Sequence, residues 1–193
     1  MNGDKWAQNR YNHRHPHPAP LNPRPMTTSL YDLTVPVFLR GFHAMSGFLA
    51  KGEAFAAEKG IDPAELLNAR LIEDMGPLTS QVQRASDSAK FTAVRIGGVE
   101  SVAMPDEEDS FADLQDRIAK TLAFLNSVPR EAIDGKEDAP VELKTPTRTM
   151  QFTGSSYVLG FVLPNFYFHV TTAYALLRHK GVPIGKMDFL GGV

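Results

Sequence analysis

Two polar side chains interrupt the apolar stripe of the last predicted helix. Asn165 and His169 are four residues apart, so a helix places them one turn apart on the same face. Of the other positions in that stripe, Val158, Val162 and Leu176 are apolar and Thr172 carries a hydroxyl. Because an unpaired polar group in a protein core costs several kcal/mol, both side chains need a partner there.

Asp74 and Gln81 could supply that partner from the second predicted helix. They are seven residues apart on one flank of its apolar stripe, so they should face a neighbouring helix. A carboxylate, an imidazole and amides that converge could ligate a divalent metal, for example zinc or nickel, with open coordination positions. Alternatively, Asp74 or Gln81 satisfies His169 in a buried hydrogen-bond network. Residue types alone favour the network, and both hypotheses stay open.

Four amphipathic segments would position these residues. Their apolar side chains recur at steps of three and four, which indicates helices with one buried face. The predicted helices cover residues 29–60, 62 to about 89, 110–129 and about 155–180. Residues 130–153 alternate apolar and polar side chains around Pro146, which predicts a short irregular hairpin. The sequence therefore predicts an all-α fold: an antiparallel four-helix bundle with a hairpin before its last helix.

Local signals fix several boundaries of these helices. Ser29 followed by Asp32 indicates a helix start, and Gly60 indicates the end of the same helix. The second helix should start at the Asp62-Pro63 cap and bend at Gly76-Pro77. Pro164, just before Asn165, should free a backbone carbonyl and widen the last helix locally.

Residues 1–25 differ from the rest of the chain. They contain five of the 14 prolines and almost no periodic apolar residues, so we predict a disordered tail before a domain that covers residues 26–193. Histidines alternate within this segment, at positions 13, 15 and 17. They could chelate a transition metal, but a solvated tail is the favoured interpretation.

Composition excludes several classes of function. The absence of cysteine excludes a disulfide framework, an iron–sulfur cluster and a thiol nucleophile. The formal net charge is −2, with +3 on residues 1–25 and −5 on residues 26–193. Because the predicted domain is acidic, we expect no nucleic-acid partner. No apolar run is long enough to span a bilayer, and we expect no membrane association. A cytoplasmic location is the resulting prediction.

Four segments carry a resemblance to a known family. They are 29–40 (SLYDLTVPVFLR), 74–82 (DMGPLTSQV), 164–181 (PNFYFHVTTAYALLRHKG) and 185–191 (GKMDFLG). Together they resemble the DinB/YfiT-like superfamily, and within it one family of unknown function. The resemblance covers nearly all of residues 27–193.

The resemblance implies a fold, an assembly and a site. Members of the superfamily form four-helix bundles, often dimers. Their site holds a divalent metal on three histidines, one on the second helix and an HxxxH pair on the last. Some members transfer thiols and others resemble hydrolases. His169 matches the second histidine of the pair, and Asn165 occupies the position of the first. No histidine lies between Ile61 and Lys90, so Asp74 or Gln81 would replace the third.

Two functions follow from this comparison of residues. The loss of two imidazoles favours a homodimeric protein that binds a small ligand or has a structural role. The alternative is a divalent-metal-dependent enzyme that uses His169, Asn165 and Asp74 or Gln81, for thiol transfer or hydrolysis. Aromatic side chains crowd the last helix beyond what one buried stripe can hold, which places the predicted dimer interface on the first or last helix.

Overall fold

A computed structural model describes residues 28–191, so the predicted tail and both ends of the predicted domain lie outside the described residues. The described part is mostly helical and contains one antiparallel two-stranded sheet. Its elements, in chain order, are α1 (Leu30–Lys59), α2 (Pro63–Leu67), α3 (Leu78–Gly97), α4 (Phe111–Ser127), α5 (Arg130–Ile133), β1 (Pro140–Lys144), β2 (Thr149–Thr153), α6 (Gly154–Tyr157), a π-helical segment (Val158–Val162), α7 (Leu163–His179) and α8 (Lys186–Leu190).

The first helix begins and ends as predicted. The Ser29 hydroxyl accepts a hydrogen bond from the Asp32 backbone N–H at 3.3 Å, which satisfies one free donor of the first turn. At the other end Gly60 adopts φ +65°, the left-handed conformation in which glycine pays no steric cost. The buried face between them is largely apolar and includes Phe38, Phe42, Met45, Phe48 and Leu49.

The prediction of one long second helix was wrong. The Asp62 cap starts α2 as expected, but the helix ends at Leu67 and the chain becomes helical again only at Leu78. Pro77 is the residue that caps α3; its ring disfavours helical geometry at Gly76 before it, and it has no N–H to donate. The segment between the two helices is irregular, and Leu71, expected in the buried stripe, is 47% exposed.

The third long helix and the hairpin confirm their predictions. Ser110 caps α4 in a reciprocal arrangement with Asp113, whose carboxylate accepts from the Ser110 backbone N–H. Strands β1 and β2 pair antiparallel, with Val141 opposite Phe152. The turn between them contains Pro146.

A π-helical segment interrupts the last helical stretch at the place where Pro164 was expected to widen it. In this segment the Leu163 N–H bonds to the Val158 carbonyl, five residues earlier. A proline lacks a donor and clashes with the carbonyl four residues before it, here that of Gly160, and the wider turn relieves that clash. The helix then continues as α7, and Gly181 follows its end with φ +92°.

Four long helices enclose the core. Helices α1 and α3 each pack against both α4 and α7, and α8 packs on α1. The ring of Phe166 lies edge-on to Phe38 and Phe42, with centroid distances of 4.9 and 5.3 Å. Gly41 permits this approach, since a Cβ at that position would lie 2.7 Å from the Phe166 ring. These contacts fix the rotation of α7, so that the neighbouring residue Asn165 and His169 face α3.

Within residues 28–191, α1 is the one helix with the length and apolar composition that a membrane span requires. Its apolar side chains form part of the buried core. A core helix of a water-soluble protein has this same property, so the observation is weak evidence for a membrane.

Candidate functional site

Three side-chain hydrogen bonds connect α3 to the last helical stretch. They pair Gln81 with His169 at 2.8 Å, Ser88 with Asn165 at 2.7 Å, and Arg95 with Tyr157 at 2.8 Å. The three positions on α3 are spaced by seven residues, which returns them to one helix face. The partners of Gln81, Ser88 and Arg95 have successively lower residue numbers, so α3 and the last helical stretch run in opposite directions.

The pair formed by Gln81 and His169 has a defined direction. The Gln81 Nε2 amide donates to the Gly76 carbonyl at 2.7 Å, which turns Oε1 of the same amide toward His169. An amide oxygen only accepts, so the His169 Nδ1 must carry the proton and donate it. The remaining ring nitrogen, Nε2, then has a free lone pair. Both residues are nearly inaccessible to solvent, at 1% for Gln81 and 5% for His169.

His169 is neutral at physiological pH. Burial lowers the pKa of its imidazole to about 4, and the positive charge of Arg84 contributes in the same direction. The ring therefore offers a hydrogen-bond acceptor rather than a charge. A neutral imidazole with one nitrogen already bonded can accept a proton donor from a ligand or coordinate a metal through the other.

Asn165 is half-buried, one helical turn before His169. Its Nδ2 amide donates to the Ser88 hydroxyl at 2.7 Å, so its Oδ1 carbonyl is the atom left available to a ligand. Ser88 was not predicted as a partner.

Asp74 does not join the other three predicted site residues. It lies in the irregular segment between α2 and α3, where its side chain is exposed. The expectation that it faces a neighbouring helix was therefore wrong, for the same reason that the long second helix was wrong. The network hypothesis named Asp74 or Gln81 as the partner of His169, and the structure places Gln81 there.

A cleft of about 380 Å³ opens beside these contacts, and we call it the α3–α7 cleft. Its polar lining consists of Arg84, Asp87, Ser88, Arg95, Asn165 and His169. Its apolar and aromatic lining consists of Phe91, Leu143, Tyr157, Phe161 and Val162. Tyr157 and Phe161 stack with an interplanar angle of 13°, so the floor at that end is aromatic.

The α3–α7 cleft is positively charged. Asp87 is the one carboxylate among its described lining residues, and it already pairs with Lys90 at 2.9 Å and with Arg117 at 3.5 Å. Arg84 has no ion pair within residues 28–191. Arg95 bonds to the neutral Tyr157 hydroxyl and stacks on Phe91, 4.9 Å from the ring centroid. Both guanidinium groups therefore keep their full charge toward the cleft.

Comparison with known proteins identifies the family of this chain. The profile of the family described as "Domain of unknown function (DUF1993)" matches residues 30–190. The chain belongs to this family. It also belongs to the DinB family: it is 37% identical to a DinB family member protein from Shewanella denitrificans, whose crystal structure superimposes with a TM-score of 0.78. That match covers 85% of this chain and 93% of the other. No curated protein sequence matches this chain.

The donor set of this DUF1993 protein does not fit the divalent metal that the superfamily resemblance implies. His169 Nε2 and Asn165 Oδ1 are the two available donors, and an amide oxygen is a weak ligand for zinc or nickel. Asp74 lies in an exposed segment and does not line the cleft, and the described residues contain no group of three or more His, Cys, Asp or Glu side chains able to hold a metal. Two guanidinium groups in the same cleft would also repel a divalent cation.

The sequence of this DUF1993 protein did not lead to a prediction of three polar residues on α3 that line the cleft, two of them arginines. Arg84, Ser88 and Arg95 follow Gln81 by three, seven and fourteen residues, so all lie on the α3 face that meets α7. Their spacing from Gln81 is the signal in the sequence, but charged residues on a helix are usually solvent-exposed, as Arg84 is, so the spacing alone does not indicate a site.

Proposed function

We propose that this protein binds a small organic molecule in the α3–α7 cleft, without a metal ion. The observation that carries the proposal is His169, a buried neutral imidazole whose Nδ1 is fixed by Gln81 and whose Nε2 lone pair has no partner among residues 28–191. The ring also lines a cleft, where a ligand can reach Nε2.

The size and lining of the cleft support a small organic ligand. A volume of about 380 Å³ lies in the usual range for small-molecule sites, which are about 300–1,000 Å³. Such sites combine apolar walls with a few polar groups that fix orientation. Phe91 and Phe161 provide apolar surface, and His169 and Asn165 provide acceptors one helical turn apart.

The alternative is a divalent-metal-dependent enzyme of the DinB type, acting in thiol transfer or hydrolysis. The free lone pair of His169 is the observation that favours it. It requires further ligands that the described residues of the cleft do not offer, since the one carboxylate there is already paired with two cations. We therefore rank it second.

One experiment separates the two functions. The neutral probe 3-phenylpropane-1,2-diol is titrated into the full chain, and the ring nitrogens of His169 are followed by NMR. We expect a shift of Nε2 that saturates, and no binding to His169→Gln. The variant His179→Gln, changed at an exposed histidine, should bind as the wild type does. The absence of any shift at Nε2 contradicts the proposal.

Elemental analysis of the same proteins tests the metal. The tail histidines are present in every variant, so only the difference between wild type and His169→Gln reports on the core. One zinc or nickel per chain, lost in His169→Gln, would support the enzyme instead. The variant Asn165→His restores an HxxxH pair, and a gain in zinc affinity there would identify Asn165 as the residue that weakens metal binding.

We further propose that α1, α3, α4 and α7 form an antiparallel four-helix bundle, and that the protein is a cytoplasmic homodimer. The packing of α1 and α3 against both other helices supports the bundle. Exposed apolar side chains support an interface that includes α7, since Phe168 and Leu159 are 54% and 56% exposed. A monomer mass by light scattering at tens of micromolar protein would contradict the dimer.

A further inference from the structure

The polar groups at one end of the α3–α7 cleft narrow the chemistry of its ligand. We propose that the ligand is a small carboxylic acid with a hydroxyl or amino group next to the carboxylate and an apolar body, held by Arg84, His169 and Asn165. This inference rests on the proposed function, because it concerns the same cleft.

The carboxylate is assigned to Arg84. This side chain lines the cleft, is exposed, and has no ion pair within the described part of the chain. The neighbouring acid, Asp87, pairs with Lys90 and Arg117 rather than with Arg84. A guanidinium binds a carboxylate through two parallel hydrogen bonds, which also orients the ligand.

The adjacent donor group is assigned to His169 and Asn165. His169 Nε2 and Asn165 Oδ1 are both acceptors with no hydrogen bond within residues 28–191. Both atoms can accept a hydrogen bond from an O–H or N–H of a ligand, and a bare carboxylate has neither. Arg84 follows Gln81, the hydrogen-bond partner of His169, by three residues on α3 and lines the same cleft as His169, so the carboxylate and the donor should be close together in the ligand.

Arg95 is not the carboxylate anchor in this arrangement. It is 11 residues beyond Arg84 on α3, about 16 Å along the helix axis, and it is engaged with Tyr157 and Phe91. The space between the two arginines is lined by Phe91 and Phe161. An apolar or aromatic substituent fits there, because both residues add apolar surface to the cleft.

A series of three probes tests the assignment group by group. 3-Phenyllactate carries both the carboxylate and the hydroxyl, 3-phenylpropionate lacks the hydroxyl, and 3-phenylpropane-1,2-diol lacks the carboxylate. Each is titrated into the full chain at constant ionic strength, with the dissociation constant measured by NMR. We expect 3-phenyllactate to bind at least about tenfold more tightly than either of the other two, the effect of one charge-assisted hydrogen bond or of one further hydrogen bond to the protein.

Variants assign the preference to individual side chains. Arg84→Gln should bring 3-phenyllactate and the diol to within about twofold of each other, since it removes the charge but keeps a donor. Arg95→Gln, in the same cleft, should retain most of the preference, and Arg178→Gln, on the exposed end of α7, should retain all of it. An unchanged preference in Arg84→Gln overturns the carboxylate assignment.

The outcomes for the two proposals are separable. If the diol shifts the NMR signal of His169 Nε2 but 3-phenyllactate binds no more tightly than the diol, the proposed ligand class is wrong and the cleft is still a binding site. If 3-phenylpropionate binds as tightly as 3-phenyllactate, the hydroxyl assignment is wrong. If no probe shifts His169 Nε2, the proposed function fails and the inference fails with it.

Discussion

Helix α3 carries two clusters of buried polar side chains, and they are built differently. In the first, Arg117 of α4 is 2% exposed and meets Glu108 at 2.8 Å, Asp106 at 2.9 Å and Asp87 of α3 at 3.5 Å. Lys90 of α3, 4% exposed, shares Asp87. In the second, the α3–α7 cleft, the cations have no carboxylate of their own and His169 keeps a free lone pair.

The contrast separates a structural cluster from a candidate site. Around Arg117 the acids outnumber the cations, and Glu108 and Arg117 also line a cavity of about 340 Å³. Only the Arg117 Nε lacks an acceptor among the buried side-chain atoms of residues 28–191. Charges that pair with one another stabilise a fold, whereas polar and charged groups at the wall of a cleft that have no partner in the protein remain available to a ligand. Four variants and conditions can break or sharpen this comparison.

The largest effect is expected at Arg117. Replacing it by Met keeps most of the volume but leaves Glu108 without its cation in a part-buried position. Loss of one partner of a buried ion pair costs about 3–5 kcal/mol of unfolding free energy. Urea denaturation measures this loss directly. A change under about 1 kcal/mol would mean that the acids around Arg117 do not depend on it, and the two clusters would then not differ in the way described.

A smaller loss is expected for His169→Ala. The change leaves the buried Gln81 Oε1 without its donor, which costs about 1–3 kcal/mol. The double variant with Gln81→Leu should lose less stability than the two single variants together, since removing both partners removes the unsatisfied oxygen and leaves only the Gly76 carbonyl without its donor. A loss in the double variant equal to the sum of the two single losses would show that Gln81 and His169 are not energetically coupled.

Acid should weaken the His169 contact. Because burial lowers the pKa of His169 to about 4, the unfolded chain takes up the proton near its ordinary pKa of 6.5 while the folded chain does not. The unfolded state then binds more protons, so this contribution to stability is complete above pH 6.5 and is lost as the pH falls toward 4. The slope is at most about 1.4 kcal/mol per pH unit.

The control for that pH dependence is His169→Gln, which should lack the slope between pH 6.5 and pH 5. The pKa of Glu108, lowered against its burial by hydrogen bonds from Gln83 and Arg117, lies below this window and is the same in both proteins. Identical slopes for the two proteins would contradict a neutral, buried His169.

The smallest effect on stability is expected for Arg84→Gln. This side chain is exposed and has no partner within the described residues, so the free energy of unfolding should change by no more than about 0.5 kcal/mol. The same variant should lose the carboxylate preference of the cleft. A large loss of stability instead would show that Arg84, like Arg117, stabilises the fold.

Helix starts and ends were predictable from the sequence because they depend on local chemistry. The Ser29 and Ser110 caps, the left-handed glycine at 60 and the widening before Pro164 each involve residues within five positions of one another. The membership of the DUF1993 family, recognised from four short segments, also depended on sequence alone. So did the inward position of Gln81 and His169, which follows from helical periodicity.

The tertiary structure decided which polar residues meet. Asp74 and Gln81 were equivalent by spacing, but the break at Gly76-Pro77 moved Asp74 into an exposed loop and left Gln81 against His169. Whether His169 lies near Arg84 depends on the rotation of α7 about its axis. The contact of Phe166 on α7 with Gly41 on α1 sets that rotation. Periodicity states which face of a helix is buried, whereas the partner on that face depends on contacts between segments far apart in the chain.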